Sequence, residues 1–329
     1  MGMRRRHFLA ALGGAAATWP YVARAQKPPA RIGILANGAA ASLNSAYQIR
    51  TIKRGLEDNG LFEGRDYIFE PRFAAGHDER FPQLALELAQ AGVAVILANT
   101  IPAVRAAQQL VPPLPVVMIS IHDPKGAGLI ASLASPGNHT TGTALAGEDL
   151  TQKMLEFQRM ILPHSRSIAV LSNSSNPADP ALPESLRMHA GALGMSVLPV
   201  RYQSRDELET AFTKFAPKHP DTLWAISDSG TTDLSDRVAA LALAHRLPAF
   251  SNFPEFARQD GLLAYGTTRE PLYFRSGYFV KKILEGADVG ELPVEQPSQT
   301  ELWINLKTAG KLELTIPASL RAVANKVIE

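Results

Sequence analysis

The sequence of 329 residues contains no cysteine. Disulfide bonds, thiolate zinc sites, cysteine nucleophiles and lipid anchors on an N-terminal cysteine all need a thiol, so each of them is excluded. Aromatic residues make up 7% of the chain and charged residues 19%, whereas 46% of the residues are hydrophobic. This balance is ordinary for a globular protein, and the length favours two packed domains over one.

A strong excess of positive charge is also absent. The formal net charge is +2, but four arginines lie within the first 25 residues, where there is no acidic residue. The rest of the chain has 29 basic and 31 acidic residues, which gives a net charge of −2. Nucleic-acid binding depends on clustered lysine and arginine that neutralise phosphates, so we expect no nucleic-acid partner.

No apolar run reaches the roughly 20 residues that a membrane-spanning helix needs. The first 25 residues combine a basic start, a short apolar stretch and small residues before Gln26, which is typical of an export signal cleaved after Ala25. The arginine pair at residues 5–6, followed by Phe8 and Leu9, favours the twin-arginine route, with the Sec route as the alternative. We therefore predict a periplasmic protein that is not inserted in the membrane after cleavage.

Short apolar strands alternate along the chain with amphipathic helical segments. One series of strands is predicted at residues 31–35, 67–73, 93–98 and 115–120, and a second at residues 167–171, 196–202, 222–226 and 248–251. Near-continuous apolar strands separated by helices indicate parallel sheets with helices on both faces. We therefore predict an α/β fold of two Rossmann-like lobes, one for each series.

Extended segments rich in glycine and threonine separate the two series. They predict crossings between the lobes at residues 136–147, 262–268 and 290–299. The predicted divisions are residues 1–25 for the signal, 26–145 with 268–292 for the first lobe, and 146–267 with 293–329 for the second. Several strand-like crossings form a hinge, because small residues there absorb changes in φ and ψ.

Small hydrogen-bonding residues follow nearly every predicted strand, where ligands bind in open α/β sheets. The candidate ligand-binding residues are Asn37, Ser42, Asn99, Thr100, Ser120, His122 and Asp123 in the first lobe, Asn173, Asn176, Asp228 and Ser229 in the second, and Tyr265 at the predicted hinge. The same residue types are common helix N-caps, so their recurrence in both lobes, rather than any single position, favours a binding cleft. Positions just before helices suit an anionic group such as a carboxylate.

The sequence shows no pattern typical of an enzyme, a cofactor site or a metal site. His122 beside Asp123 suggests acid–base chemistry, as in a hydrolase, but no nucleophile elbow or nucleotide-binding loop accompanies the pair. The histidines lack the short paired spacing of metal ligands. We predict a non-enzymatic protein without cofactor or metal, in which this pair forms a turn or contacts a ligand.

Several segments in the middle and the tail of the chain have a distinctive sequence. These segments are DPKGAGLIASLASPGNHTTG at residues 123–142, LAYG at 263–266, LPVEQP at 292–297, INLKTA at 304–309 and LTIP at 314–317. They are similar to the ABC-transporter substrate-binding proteins of the tryptophan/tyrosine-receptor-like type. The resemblance implies a type I periplasmic-binding fold with a hinged cleft, which delivers a small organic ligand to an ABC permease in the inner membrane.

The resemblance also locates the cleft, at residues 37–42, 99–100, 120–123, 173–176, 228–229 and 265. The sequence departs from the family at residues 99–102, where Asn-Thr-Ile-Pro replaces a Gly-Gly-Thr-Pro type of turn, and at residues 227–229. The implied ligand is an amino acid or an aromatic or aliphatic carboxylate, and we expect a monomer. A periplasmic sensor that docks on a membrane receptor is the alternative function.

Overall fold

The computed structural model describes residues 28–145, 150–174, 184–226, 231–232, 234–296 and 300–329. The predicted signal segment and three candidate residues, Asn176, Asp228 and Ser229, lie outside the described residues. The described chain forms two separate sheets with helices packed against them. The predicted α/β fold of two sheet-based lobes is confirmed.

The first sheet consists of five parallel strands. Its strands are β1 (Ala30–Ala36), β2 (Tyr67–Phe73), β3 (Val95–Ala98), β4 (Val116–His122) and β5 (Thr140–Leu145). They lie in the order β2-β1-β3-β4-β5. The bounds of β2 agree with the prediction, and β4 extends two residues beyond it.

The second sheet consists of seven strands. They are β6 (Ser167–Asn173), β7 (Ser196–Tyr202), β8 (Thr222–Ala225), β9 (Ala249–Ser251), β10 (Leu263–Gly266), β11 (Glu301–Asn305) and β12 (Lys326–Ile328). Their order is β12-β11-β10-β9-β8-β6-β7. All neighbouring pairs are parallel except β10 and β11, which run antiparallel.

Helices connect the strands and cover the sheets. The described α-helices are α1 (Leu43–Asp58), α2 (Phe81–Gln90), α3 (Ile101–Gln108), α4 (Thr151–Ile161), α5 (Glu184–Ala192), α6 (Arg205–Phe215), α7 (Ser235–Ala244), α8 (Glu270–Leu284), α9 (Leu306–Lys311) and α10 (Ala318–Val323). Short 3-10 helices lie at Asp78–Arg80, Ala216–Lys218, Pro254–Gln259 and Val289–Glu291. Helix α8 comes late in the chain but packs on α1, β4 and β5 of the first sheet.

Each sheet is buried on both faces. On the first sheet, Ile32 and Ile34 pack in one core cluster with residues of α1 and α8, whereas Leu35 packs in another with residues of α2 and α3. Alternate side chains of a strand point to opposite faces, so a strand covered on both sides is apolar throughout. This is why the sequence shows continuous apolar runs. Trp224 of β8 is likewise 2% exposed, as a core position requires.

The residues predicted as linkers include two strands of the sheets, which the sequence analysis did not predict as strands. Strand β5 lies within the first predicted linker, and β10 within the second. Gly142 of β5 has a φ of 128°, and a Cβ there would collide with the carbonyl oxygen of Met118 on β4. The glycine therefore allows close strand pairing, which the sequence alone does not distinguish from hinge freedom.

The chain passes between the sheets after β5, after β10 and before β11. At the last of these passages, Glu295 still pairs with Thr143 of β5. The chain therefore stays beside the first sheet beyond residue 292, where the first lobe was predicted to end. The lobe boundaries remain a prediction.

Candidate ligand-binding site

The carboxyl ends of the two sheets meet at the start of α8. Arg269, just before that helix, donates its backbone N–H to Glu255 Oε1 at 3.0 Å. Glu255 lies in the 3-10 helix Pro254–Gln259, which follows β9 of the second sheet. Tyr47, near the start of α1 on the first sheet, is close enough to Glu255 to interact with it electrostatically. The candidate site is therefore the region where both sets of strand ends face each other.

The beginnings of α1 and α8 are joined by a hydrogen-bonded cluster. The Tyr47 hydroxyl donates to Glu270 Oε2 at 2.7 Å, and Arg54 donates to Glu270 Oε1 at 3.0 Å. Burial, followed by the bond to Glu270, raises the pKa of Tyr47 to about 12, so the phenol is a donor at neutral pH. The same bond, together with Arg54, lowers the pKa of Glu270.

Asn99 and Thr100 connect β3 to α3. Thr100 Oγ1 accepts the N–H of Ala103 at 3.2 Å and so caps the helix, the alternative role for this residue type. Asn99 Nδ2 donates to Gln48 Oε1 at 3.3 Å and contacts the Tyr273 hydroxyl at 3.5 Å. Asn99 Oδ1 is buried and has no hydrogen-bond partner in the described part of the chain. Asn99 thus keeps an acceptor that a ligand can use.

Asn37 and Ser42 lie between β1 and α1. Ser42 Oγ accepts the N–H of Ser45 at 2.9 Å, which makes it the N-cap of α1. Asn37 is buried directly after β1, and its carbonyl oxygen accepts the N–H of Gly76 at 2.8 Å. Both residues lie at the carboxyl end of the first sheet, where the sequence predicted them.

Ser120 occupies a strained position near the end of β4. Its φ is 60°, and the pairing register of β4 with β5 shifts between Met118 and Ile121. The backbone N–H of Ser120 donates to Thr143 Oγ1 at 3.1 Å, whereas Ser120 Oγ is buried without a partner among the residues described. Backbone strain of this kind concentrates at binding and catalytic sites.

His122 and Asp123 are exposed at the end of β4. Asp123 Oδ1 accepts the N–H of Gly126 at 2.9 Å and so stabilises the turn that follows the strand. The turn role therefore accounts for Asp123 without chemistry. Within the described ranges, no group of three or more histidine, aspartate or glutamate residues is placed to hold a metal ion.

On the second sheet, the end of β6 provides Ser172 and Asn173. Both are buried, and Ser172 Oγ has no hydrogen-bond partner within the described chain. Tyr265 of β10 packs edge-on against Phe157, with 5.2 Å between ring centroids, and its hydroxyl accepts from Thr300 at 3.0 Å. These contacts give Tyr265 a packing role beside the last passage between the sheets, and its predicted role in the cleft stays untested.

Glu255, Tyr47 and Glu270 are not among the candidate residues predicted from the sequence. Glu255 is 7% exposed, and burial raises the pKa of its carboxyl group. Its Oε2 atom has no hydrogen-bond partner in the described structure. The sequence feature that could have identified it is an acid four residues after β9, flanked by Phe253, Pro254 and Phe256. A carboxylate there is costly unless it is paired, so an acid in so apolar a segment indicates a function.

The chain matches the model of the family described as ABC transporter substrate binding protein over residues 38–328. It is also 25% identical over 262 residues to a protein of Clostridioides difficile named as a tyrosine-binding protein, an alignment that covers 79% of this chain and 75% of the relative. The family predicted from the sequence is therefore confirmed.

Solved structures show the same fold. A domain of an ABC protein of Streptococcus pneumonia, in complex with L-Trp, superposes with a TM-score of 0.79 at 24% identity, covering 91% of this chain and 100% of the other. A conserved domain protein of Vibrio cholerae superposes with a TM-score of 0.79 at 23% identity, covering 91% of this chain and 99% of the other. Among the described residues, no helix has the length and apolar character to cross a membrane.

Proposed function

Because this chain belongs to the ABC transporter substrate-binding protein family, we propose that it is the periplasmic solute receptor of an ABC importer. We further propose that it binds one small organic ligand between the carboxyl ends of its two sheets and passes it to an inner-membrane permease. The family is one of binding proteins rather than enzymes. The predicted absence of catalysis agrees with this membership.

The main support for the proposed site is a set of buried polar atoms that lack hydrogen-bond partners within the described ranges of the chain. Buried polar atoms without a hydrogen-bond partner in the described structure lie at the carboxyl ends of both sheets, namely Asn99 Oδ1, Ser120 Oγ, Ser172 Oγ and Glu255 Oε2. Buried polar atoms are nearly always hydrogen-bonded, so unpaired atoms at these ends favour a ligand that pairs with them. Tyr67 has a similarly unpaired hydroxyl, but it lies at the amino end of β2.

The proposed ligand class is amino acids and related organic acids. The capped N-termini of α1 and α3 lie at the carboxyl end of the first sheet, where free backbone N–H groups and the helix dipole suit a carboxylate. The names of the C. difficile relative and of the S. pneumonia complex refer to tyrosine and L-Trp, which makes aromatic amino acids the first ligands to test.

The test is a thermal-shift screen of the chain from residue 26 over L-amino acids and aromatic and aliphatic carboxylates, followed by titration calorimetry of each hit. A ligand present at 100 times its Kd stabilises the folded protein by about 2.7 kcal/mol, a shift that such a screen detects. We expect micromolar or tighter binding and a smaller radius of gyration by small-angle scattering. If no compound binds, the proposed function is wrong, and binding without compaction would refute closure of the lobes.

A pair of variants tests the location of the site. Asn99→Ala should weaken binding, because it removes the unpaired acceptor, and should lower the melting temperature only slightly, because the two contacts that Nδ2 loses are long, at 3.3 and 3.5 Å. Asn59→Ala is the matched control, since the side chain of Asn59 donates to Gly55 O at 2.8 Å at the far end of α1. Equal affinity of the two variants would remove Asn99 from the site.

Export and transport need separate tests. Replacing Arg5 and Arg6 together by lysine should block export of a reporter fused to residues 1–25 if the twin-arginine route is used, and leave export unchanged if the Sec route is used.

Permease and ATPase genes beside the gene for this chain would favour the importer over a sensor that docks on a membrane receptor.

A further inference from the structure

Glu255 is a buried acid whose position the fold alone does not explain. Its Oε1 atom accepts the backbone N–H of Arg269 at 3.0 Å, but its Oε2 atom is buried and unpaired within the described structure. We propose that Glu255 binds a positively charged amino group of the ligand, so that the protein selects amino acids over carboxylic acids that lack this group. This inference rests on the proposed function and narrows its ligand class.

The two arginines near Glu255 do not supply the missing partner. The Arg269 guanidinium donates to Thr232 Oγ1 at 3.2 Å and lies over the Phe253 ring at 5.0 Å. The Arg258 guanidinium lies over the Trp303 ring at 4.7 Å. No salt bridge joins Glu255 to a residue that the structure describes.

An unpaired buried carboxyl group is unfavourable in its charged form. Burial raises the pKa of Glu255, although the backbone N–H groups and the two arginines act in the opposite direction. An ammonium group beside Oε2 would favour the charged form and form a charge-assisted hydrogen bond. A ligand without such a group would leave the carboxyl group buried and unpaired.

The place of Glu255 in the fold suits a ligand with two opposite charges. It lies in the 3-10 helix that follows β9 of the second sheet, beside the start of α8, whereas the helix N-termini that favour an anion lie at the carboxyl end of the first sheet. A zwitterionic amino acid can therefore place its carboxylate on one sheet and its ammonium group on the other. Such a ligand joins the two lobes, as closure requires.

The test compares matched ligands in matched variants. Each L-amino acid that binds is titrated beside its desamino acid, for example L-tyrosine beside 3-(4-hydroxyphenyl)propionate and L-tryptophan beside indole-3-propionate. Glu255→Gln keeps an oxygen for the Arg269 N–H and removes the charge. Glu285→Gln, at an exposed position just after α8, is the control.

We expect Glu255→Gln to lower the affinity for the amino acid by about 10- to 100-fold, which corresponds to the loss of a charge-assisted hydrogen bond. The affinity for the desamino acid should fall by less than about 3-fold. The unliganded variant should melt at the same or a higher temperature than wild type, because a costly buried acid is gone; a purely structural role predicts a lower one. Unchanged amino-acid affinity in the variant, or equal affinity of wild type for both ligands, overturns the role of Glu255 but leaves ligand binding intact. If wild type binds neither panel, the proposed function fails as well.

Discussion

The strained residue Ser120 provides a prediction in which stability and binding change in opposite directions. Its φ of 60° suits glycine, and its buried Oγ has no partner in the described chain. We expect Ser120→Gly and Ser120→Ala each to stabilise the unliganded protein and to weaken binding. The backbone bond from Ser120 to Thr143 Oγ1 is retained in both variants, so it does not contribute to the difference.

Comparison of the two variants separates the energetic contribution of the Ser120 hydroxyl from that of its backbone strain. Removing an unsatisfied buried hydroxyl relieves a desolvation penalty of about 1–3 kcal/mol. The small cavity left by the oxygen atom cancels part of this gain, so the free energy of unfolding of Ser120→Ala should rise by about 1 kcal/mol. A left-handed conformation costs a residue with a Cβ roughly 1–2 kcal/mol, and the greater freedom of unfolded glycine offsets about half of that. Ser120→Gly should therefore be more stable than Ser120→Ala by a further ~0.5–1 kcal/mol.

The assay is scanning calorimetry of the unliganded variants, in which each step should raise the melting temperature by about 2 °C for a chain of this size. Titration calorimetry with the hit from the ligand screen then measures affinity. A Ser120→Gly variant no more stable than Ser120→Ala would refute the strain. Stabilised variants that bind as wild type does would remove the Ser120 hydroxyl from the site.

Further predictions concern the packing that holds the site. Gly277→Ala should destabilise by about 1–3 kcal/mol in urea unfolding, because a Cβ there would collide with Gly55 of α1, whereas the control Gly191→Ala in α5 has open space and should gain ~0.5 kcal/mol. Trp224→Phe should cost about 2–4 kcal/mol by urea unfolding, since it leaves the buried Gln158 Oε1 unpaired after loss of a 2.6 Å bond. Trp303→Phe should cost less, because its 2.6 Å bond goes to Glu301, which is only half-buried and can bond to water instead. Equal losses in the two tryptophan variants would contradict this. Glu270 has a lowered pKa, so its stabilising effect is present above its ordinary pKa of 4.5 and is lost as pH falls through the lower folded value. The melting temperature of Glu270→Gln should thus be furthest below wild type near neutral pH and approach it in acid, and a constant difference would disprove the contribution of the charge.

The sequence predicts most of the fold because burial on both faces of a parallel sheet produces apolar runs that alternate with helices. Strands β2 and β7 have the predicted bounds for this reason. The sequence analysis does not predict β5 and β10 as strands, because the glycine and threonine residues in β5, and the glycine that ends β10 with the two threonines after it, resemble a linker. Their pairing depends on close contacts such as that of Gly142 with Met118, and long-range contacts of this kind are not visible in a local pattern.

The candidate site is predicted by position but not by role. The carboxyl ends of the strands do bring Asn99 and Ser120 to one region, because all strands of the first sheet are parallel. The sequence offers both a structural and a binding role for Thr100 and Asp123 but does not decide between them, whereas the structure shows Thr100 as a helix cap and Asp123 in a turn. The sequence also does not identify Glu255, because this acid is buried by a long-range contact: the chain comes back beside it at Arg269, whose backbone N–H donates to Glu255 Oε1.

The most direct measurement of the central claim is a crystal structure of the mature chain with the ligand that gives the largest thermal shift. We expect ligand density between the sheets, in contact with Asn99 or Ser120 on one side and with Ser172 or Glu255 on the other. Density that touches only one sheet, or that lies in the surface groove between α4 and α5, would contradict it.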